Sequence, residues 1–164
     1  MATYGIRSKS TVNHPLYLET RLKYEGDYGY SGAAWWGLCD PSTLPSGSGN
    51  TQLPASLKRA LLRVYGDNHR VFASTADGTN RELVEIAYGK KDFKTYTIQW
   101  DGSSATMSLD STSRTLTSAT TDPTKILVAR GNSPSAILTV DYIKVWTLPP
   151  TIISHGAWGP VESL

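Results

Sequence analysis

The sequence predicts an all-β domain built as a two-sheet antiparallel sandwich. Short segments that alternate apolar and polar residues recur along its 164 residues, turn residues separate them, and almost no helical period appears. The clearest segment runs from Pro15 to Glu25, where Leu16, Leu18, Leu22 and Tyr24 share one face. We expect a half-buried strand there.

The other predicted strands follow turn signals in the same way. Ala33 to Leu38 re-enters a sheet after a glycine-rich stretch, whereas 54–65 fits either a helical turn or a strand, with a strand favoured near its end. The last strand changes phase, which predicts a bulge near Asp141. This last strand is expected at 136–146, and the other strands at 70–74, 83–88, 96–100, 105–109 and 125–130.

Composition limits the classes of function. Sixteen basic and fourteen acidic residues are scattered along the chain, so no charged field indicates nucleic acid or an acidic membrane, and no apolar run predicts a membrane span. Cys39 is the single cysteine and is expected to be buried and inert. We expect a sandwich domain over 1–148 and, after a proline pair, an extended tail or linker over 149–164.

Three stretches resemble the concanavalin A-like superfamily of laminin-G-like modules, legume-type lectins and laminarinase-type glucanases. The first stretch is 15–24, followed after a gap by 36–38. The second is 96–102, which leads to 107–110, and the third is the closing segment 140–146. The resemblance implies a jelly roll of two antiparallel sheets with a concave face that holds a saccharide in many relatives. It also implies an extracellular or particle-surface location.

The resemblance does not carry over the glucanase catalytic residues. Those relatives place converging carboxylates on one face of a strand, as acid and nucleophile require. The nearest match here is Glu82 and Glu85, whose spacing directs them to opposite faces of a regular strand. We therefore name no catalytic residue.

Candidate ligand-binding residues follow from strand parity and from loops. Trp36 fits the core, which leaves Trp35 either as a flat platform for a sugar ring or packed beneath a loop. Tyr28 and Tyr30 lie in the adjacent glycine-rich stretch and could border the same site. Outward positions on other strands add Arg63, Glu85 and Gln99 as possible partners of sugar hydroxyls.

No metal site or cofactor is predicted. Asp40 and Asp101 could contribute to a calcium site as in some relatives, but no dense acidic loop accompanies them. The leading hypothesis is a non-catalytic module that binds a glycan or polysaccharide. The alternatives are an assembly domain that contacts other protein subunits through its C-terminal tail and an atypical glycoside hydrolase or lyase.

Overall fold

The computed structural model describes residues 4–25, 33–42, 53–65, 70–88, 92–130 and 137–147. This part of the chain forms strands without any helix, so no helix in it could cross a membrane. The strands are β1 (Tyr4–Arg7), β2 (Leu16–Glu25), β3 (Ala33–Cys39), β4 (Arg59–Tyr65), β5 (Arg70–Ala76), β6 (Arg81–Tyr88), β7 (Lys94–Trp100), β8 (Ala105–Leu109), β9 (Thr112–Leu116), β10 (Lys125–Arg130) and β11 (Ile137–Trp146).

The strands form two antiparallel sheets. The six-stranded sheet has the order β1-β10-β3-β4-β5-β6, and the five-stranded sheet has the order β11-β2-β7-β8-β9. The chain changes sheet between β1 and β2, between β2 and β3, and again after β6, β9 and β10. This arrangement confirms the predicted two-sheet jelly-roll sandwich.

The core lies between the sheets and is built from the alternating residues of both inner faces. On β2, every second residue is buried while the residues between them are half-buried. Trp36 of β3 meets Tyr96 of β7 across the sandwich, with ring centroids 4.8 Å apart in an edge-to-face arrangement. The predicted inward positions are confirmed for Leu16, Leu18, Leu22, Tyr24 and Trp36. The same core contains Tyr96, Ile98, Trp100, Ala105, Met107 and Leu109.

Gly37 shows how closely the sheets approach one another. Its φ angle is +133°, and a Cβ placed on it would lie 2.5 Å from Cδ1 of Ile98 and 2.6 Å from the carbonyl oxygen of Ala60. Glycine is therefore required at this point of β3 for both its backbone conformation and its lack of a side chain.

Two strands were absent from the sequence prediction, one ambiguity is resolved and the predicted bulge is present. β1 and β9 were not predicted: β1 has only four residues, and β9 lacks apolar alternation, with three consecutive exposed residues. The 54–65 segment becomes a strand only from Arg59. The predicted bulge near Asp141 is confirmed, since the pairing of β11 with β2 shifts between Val140 and Tyr142.

Candidate functional site

A cross-strand row on the six-stranded sheet unites three of the residues predicted from sequence. Trp35 on β3 pairs with Arg63 on β4, Arg63 pairs with Phe72 on β5, and Phe72 pairs with Glu85 on β6. All four point away from the five-stranded sheet, a direction we call the outer face. Neighbouring strands lie about 4.8 Å apart, so the row forms one continuous strip.

The row is covered at one end and open at the other. Trp35 is 0% exposed and Arg63 is 3% exposed. Phe72 is only half-buried, and the side chain of Glu85 retains 29% of its accessible surface. A ligand that approaches this face would therefore meet Phe72 and Glu85 first.

Trp35 belongs to a small apolar cluster on this outer face. Leu53 and Leu57, which precede β4, pack there with Leu61, and the cluster also contains Cys39, Leu127 and Ala129. The structure thus matches the alternative that Trp35 packs beneath a loop. A sugar ring could reach the Trp35 indole only if the cover were displaced.

Arg59 holds this cover on the sheet. Its guanidinium donates to the carbonyl oxygens of Pro54 (2.7 Å), Leu57 (2.8 Å) and Leu53 (3.2 Å), while its Nε donates to Ser74 Oγ (2.9 Å). The side chain is 1% exposed. Burial is the main reason that the pKa of Arg59 falls to about 10. It nevertheless stays charged near neutral pH.

At the open end, Arg70 connects the aromatic ring with the carboxylate. Its guanidinium carbon lies 5.2 Å from the centroid of the Phe72 ring. Its Nε donates to Glu85 Oε2 at 3.0 Å, and its Nη2 contacts the same oxygen. The hydrogen bond from Arg70 lowers the pKa of Glu85, which is therefore ionised at neutral pH.

The outer face of β4, β5 and β6 is predominantly basic. Outward positions on these three strands carry Arg59, Arg63, Arg70 and Arg81 against one carboxylate, Glu85. Arg81 is exposed and also donates to the carbonyl oxygen of Leu53 at 3.3 Å. The local field therefore favours anionic groups of a ligand.

The two glutamates of β6 separate as the sequence predicted. Glu82 turns toward the other sheet, where its Oε1 accepts hydrogen bonds from the backbone N–H groups of Thr117 (2.8 Å) and Ser118 (2.7 Å). Glu85 lies on the outer face with Arg70. The pair therefore cannot converge on one glycosidic bond.

The structure does not bring the other predicted site residues to this row. Gln99 is exposed, but it lies on β7 of the five-stranded sheet and so faces the opposite side of the sandwich. Tyr28 and Tyr30 lie outside the described residues. Sequence reasoning missed Phe72 and Arg70, although the alternation of β5 placed both on the same face.

The two aspartates considered for calcium serve as turn residues. Asp40 Oδ1 accepts from the backbone N–H of Ser42 at 2.7 Å, and Asp101 Oδ1 accepts from that of Ser104 at 2.7 Å. In the ranges that the structure describes, no three His, Cys, Asp or Glu side chains are grouped as a metal would require.

Structure comparison relates this architecture to lectins and glucanases. The Emp46p carbohydrate recognition domain, in its metal-free form, aligns with a TM-score of 0.67 and 11% identity over 90% of this chain and 78% of its own. A legume lectin-like domain from Entamoeba histolytica aligns at 0.64 and 13% identity over 90% of this chain and 79% of its own.

A Bacillus licheniformis β-glucanase aligns with a TM-score of 0.56 and 18% identity over 77% of this chain. The alignment covers only 56% of the length of the glucanase. No protein-family model matches the sequence, and no curated protein matches it. At these identities the likeness concerns the fold. Element order, sheet topology and these alignments together show that the chain has the concanavalin A-like jelly-roll fold.

Proposed function

We propose that this domain is a non-catalytic carbohydrate-binding module that binds its glycan on the outer face of the six-stranded sheet. The observation that carries the proposal is the row from Trp35 to Glu85, whose open end presents an aromatic ring beside a fixed guanidinium and a carboxylate. Carbohydrate recognition domains with this fold support the assignment.

The chemistry of the open end suits a sugar. The half-buried ring of Phe72 offers an apolar surface to the C–H groups of a pyranose. Glu85 accepts hydrogen bonds from hydroxyl groups, and Arg70 donates to oxygens in the fixed geometry of a guanidinium. Because the ion pair already orients both groups, little conformational entropy is lost when a ligand binds.

The surrounding charge favours glycans that carry carboxylate or sulfate groups. Arg81 and Arg70 are accessible, while Arg63 and Arg59 add positive charge from below. An acidic polysaccharide would gain electrostatic attraction to this face, and salt would weaken that attraction. We expect uronate-containing or sulfated glycans to bind more tightly here than neutral ones.

The matched test removes one cation from each sheet. Arg70→Ala breaks the Arg70–Glu85 pair, and Lys94→Ala breaks the comparable surface pair Lys94–Asp110 (2.9 Å) on the five-stranded sheet. Binding to immobilised acidic and neutral glycans would be measured for both variants and the wild type. Loss of binding in Arg70→Ala alone supports the proposal, whereas equal binding by both variants contradicts it.

Phe72→Ala and Glu85→Gln separate binding from hydrolysis. Phe72→Ala should weaken binding by about tenfold, the effect of losing one well-placed anchor. Glu85→Gln should retain binding, because an amide still hydrogen-bonds to hydroxyls. If glycan hydrolysis is detected and Glu85→Gln abolishes it while the fold is intact, the atypical hydrolase hypothesis replaces this one.

An assembly role is the second candidate, favoured by an apolar cleft at the β1 edge of the sandwich. Ile6 is 61% exposed and lines a cleft of about 240 Å³ with Ile126, Val128 and Ile143. A second copy of this chain could cover the cleft and the edge of β1 that no other described strand pairs with. Sedimentation of wild type and Ile6→Lys tests it, since only a cleft-mediated dimer would dissociate in the variant.

A further inference from the structure

The opposite surface of the sandwich carries a second row with different chemistry. Trp146 on β11 pairs with Tyr17 on β2, Tyr17 with Gln99 on β7, Gln99 with Thr106 on β8, and Thr106 with Thr115 on β9. Each strand of the five-stranded sheet thus contributes one residue to an outer row, which we call the transverse row. Four strand spacings make it about 19 Å long.

The transverse row contains no charged side chain. Gln99 is exposed, and its amide makes no hydrogen bond to another described residue. The hydroxyls of Thr106 and Thr115 lie 2.8 Å apart; Thr115 is exposed and Thr106 is half-buried. One hydrogen-bond donor and two acceptor sites per hydroxyl leave capacity for a ligand on both threonines.

A neighbouring row on β7, β8 and β9 continues this polar, uncharged surface. Thr97 pairs with Ser108, whose hydroxyl it contacts, and Ser108 pairs with Ser113. Together with the transverse row, these residues present hydroxyl and amide groups spaced by the strands of the sheet. Such a surface matches the hydroxyl groups of a sugar chain.

An aromatic pair ends the transverse row. Trp146 is 37% exposed, and its ring lies edge-to-face on Tyr17 with centroids 5.2 Å apart. Tyr17 is half-buried, and burial is the main reason that its pKa is raised, so its hydroxyl is neutral at physiological pH. The contact with Tyr17 fixes the Trp146 indole, whose exposed part can cover a sugar ring.

The charged groups beside this surface are paired with each other. Lys144 lies 3.8 Å from Glu19, which also accepts a hydrogen bond from the Tyr142 hydroxyl at 2.8 Å. Arg21 forms an ion pair with Asp141. The surface therefore has little net charge for attracting an ionic ligand.

We propose that the transverse row binds one extended, neutral polysaccharide chain, which lies across the strands with a sugar ring on Trp146 and hydroxyl groups on Gln99, Thr106 and Thr115. A sugar chain fits better than a protein partner, because four of the five residues in the transverse row are polar or half-buried and Trp146 is the exposed apolar residue of the row. This site is independent of the outer face of the six-stranded sheet.

The test uses cellohexaose, laminarihexaose and xylohexaose as neutral probes in titration calorimetry with the whole chain. Wild type should bind at least one of them, and Trp146→Ala should weaken that binding by about tenfold. Gln99→Ala should weaken it several-fold. Val145→Ala is the matched control, since Val145 is 39% exposed on the same strand but points to the other side, and it should bind like wild type.

Comparing Arg70→Ala with Trp146→Ala distinguishes the two proposed sites, because the two residues lie on different sheets of the sandwich. Binding of the neutral probes should depend more strongly on Trp146 than on Arg70. The proposal is overturned if wild type binds none of the three probes, or if folded Trp146→Ala binds them as tightly as Val145→Ala. It is also overturned if Arg70→Ala abolishes binding of the neutral probes while Trp146→Ala does not, since the sugar would then lie on the six-stranded sheet.

Discussion

Arg59 Nη1 donates to the carbonyl oxygen of Pro54 at 2.7 Å, so a buried charge on β4 holds the segment that covers Trp35. No carboxylate accepts from this guanidinium among the described contacts; its partners are carbonyl and hydroxyl oxygens. The cover is therefore part of the folded sheet surface.

Replacing Arg59 should destabilise the protein strongly. In Arg59→Met the carbonyl oxygens of Leu53, Pro54 and Leu57 lose a charged donor, and we expect the free energy of unfolding to fall by about 3 kcal/mol. Arg59→Lys keeps the charge but has fewer donors, so it should lose less. Urea unfolding measures both; a loss below about 0.5 kcal/mol in Arg59→Met would show that the cover does not depend on this side chain.

Trp35→Ala should act mainly on stability. Its indole is completely buried, so truncation leaves a large cavity and should cost about 3–5 kcal/mol. Loss of glycan binding in this variant would therefore not locate a sugar site. Thermal unfolding provides the check, and a melting temperature unchanged from wild type would show that Trp35 is not packed as described.

Gly37→Ala should destabilise the sandwich where β3 packs against Ile98 of the other sheet. The new methyl group would overlap Ile98 and the Ala60 carbonyl, and the backbone has a positive φ. We expect a loss of at least about 2 kcal/mol from overpacking and backbone strain. In the double variant Gly37→Ala/Ile98→Val, the smaller side chain should recover part of this loss in urea unfolding; no recovery would assign the cost to the backbone alone.

Cys39 should be unreactive in the folded protein. Burial raises the pKa of its thiol from 9.0 to about 12, so the folded state keeps this proton where the unfolded chain releases it. This contribution to stability is present below pH 9 and is lost as the pH rises from about 9 towards 12.

A disulfide reagent at pH 8 tests the state of the Cys39 thiol. The folded protein should react far more slowly than the same protein in guanidinium chloride. Cys39→Ala should also reduce the loss of stability between pH 9 and 12. Rapid labelling of the folded protein would contradict the buried position of Cys39.

The sequence predicted the sandwich well because its inner faces alternate clearly. β2 buries every second residue, including the four predicted positions, and β7 alternates in the same way from Tyr96 to Trp100. β9 was missed because most of its side chains face solvent, so pairing with β8 defines it rather than a local pattern. An edge strand whose side chains mostly face solvent is therefore harder to predict from its own sequence.

The site was predicted less completely, since the alternation of side chains along a strand does not show which sheet the strand joins. Alternation placed Trp35 and Trp36 on opposite faces, as the structure shows. It could not show that Leu53 and Leu57 return to cover Trp35, which depends on the tertiary bonds of Arg59. Nor could it show that Gln99 and Glu85 occupy different sheets.

The carboxylate of Glu82 makes one edge of the molecule sensitive to acid. Burial alone would raise the pKa of Glu82, but its hydrogen bonds with Ser118 and Thr117 lower it. These bonds join β6 to the segment that follows β9. Their contribution to stability is present above the pKa of an unfolded glutamate and is lost as the pH falls from that value through the lower pKa of folded Glu82. Below the pKa of folded Glu82 the two sheets should begin to separate along this edge, and a fall in the hydrogen-exchange protection factors of the Thr117 and Ser118 amides would precede global unfolding.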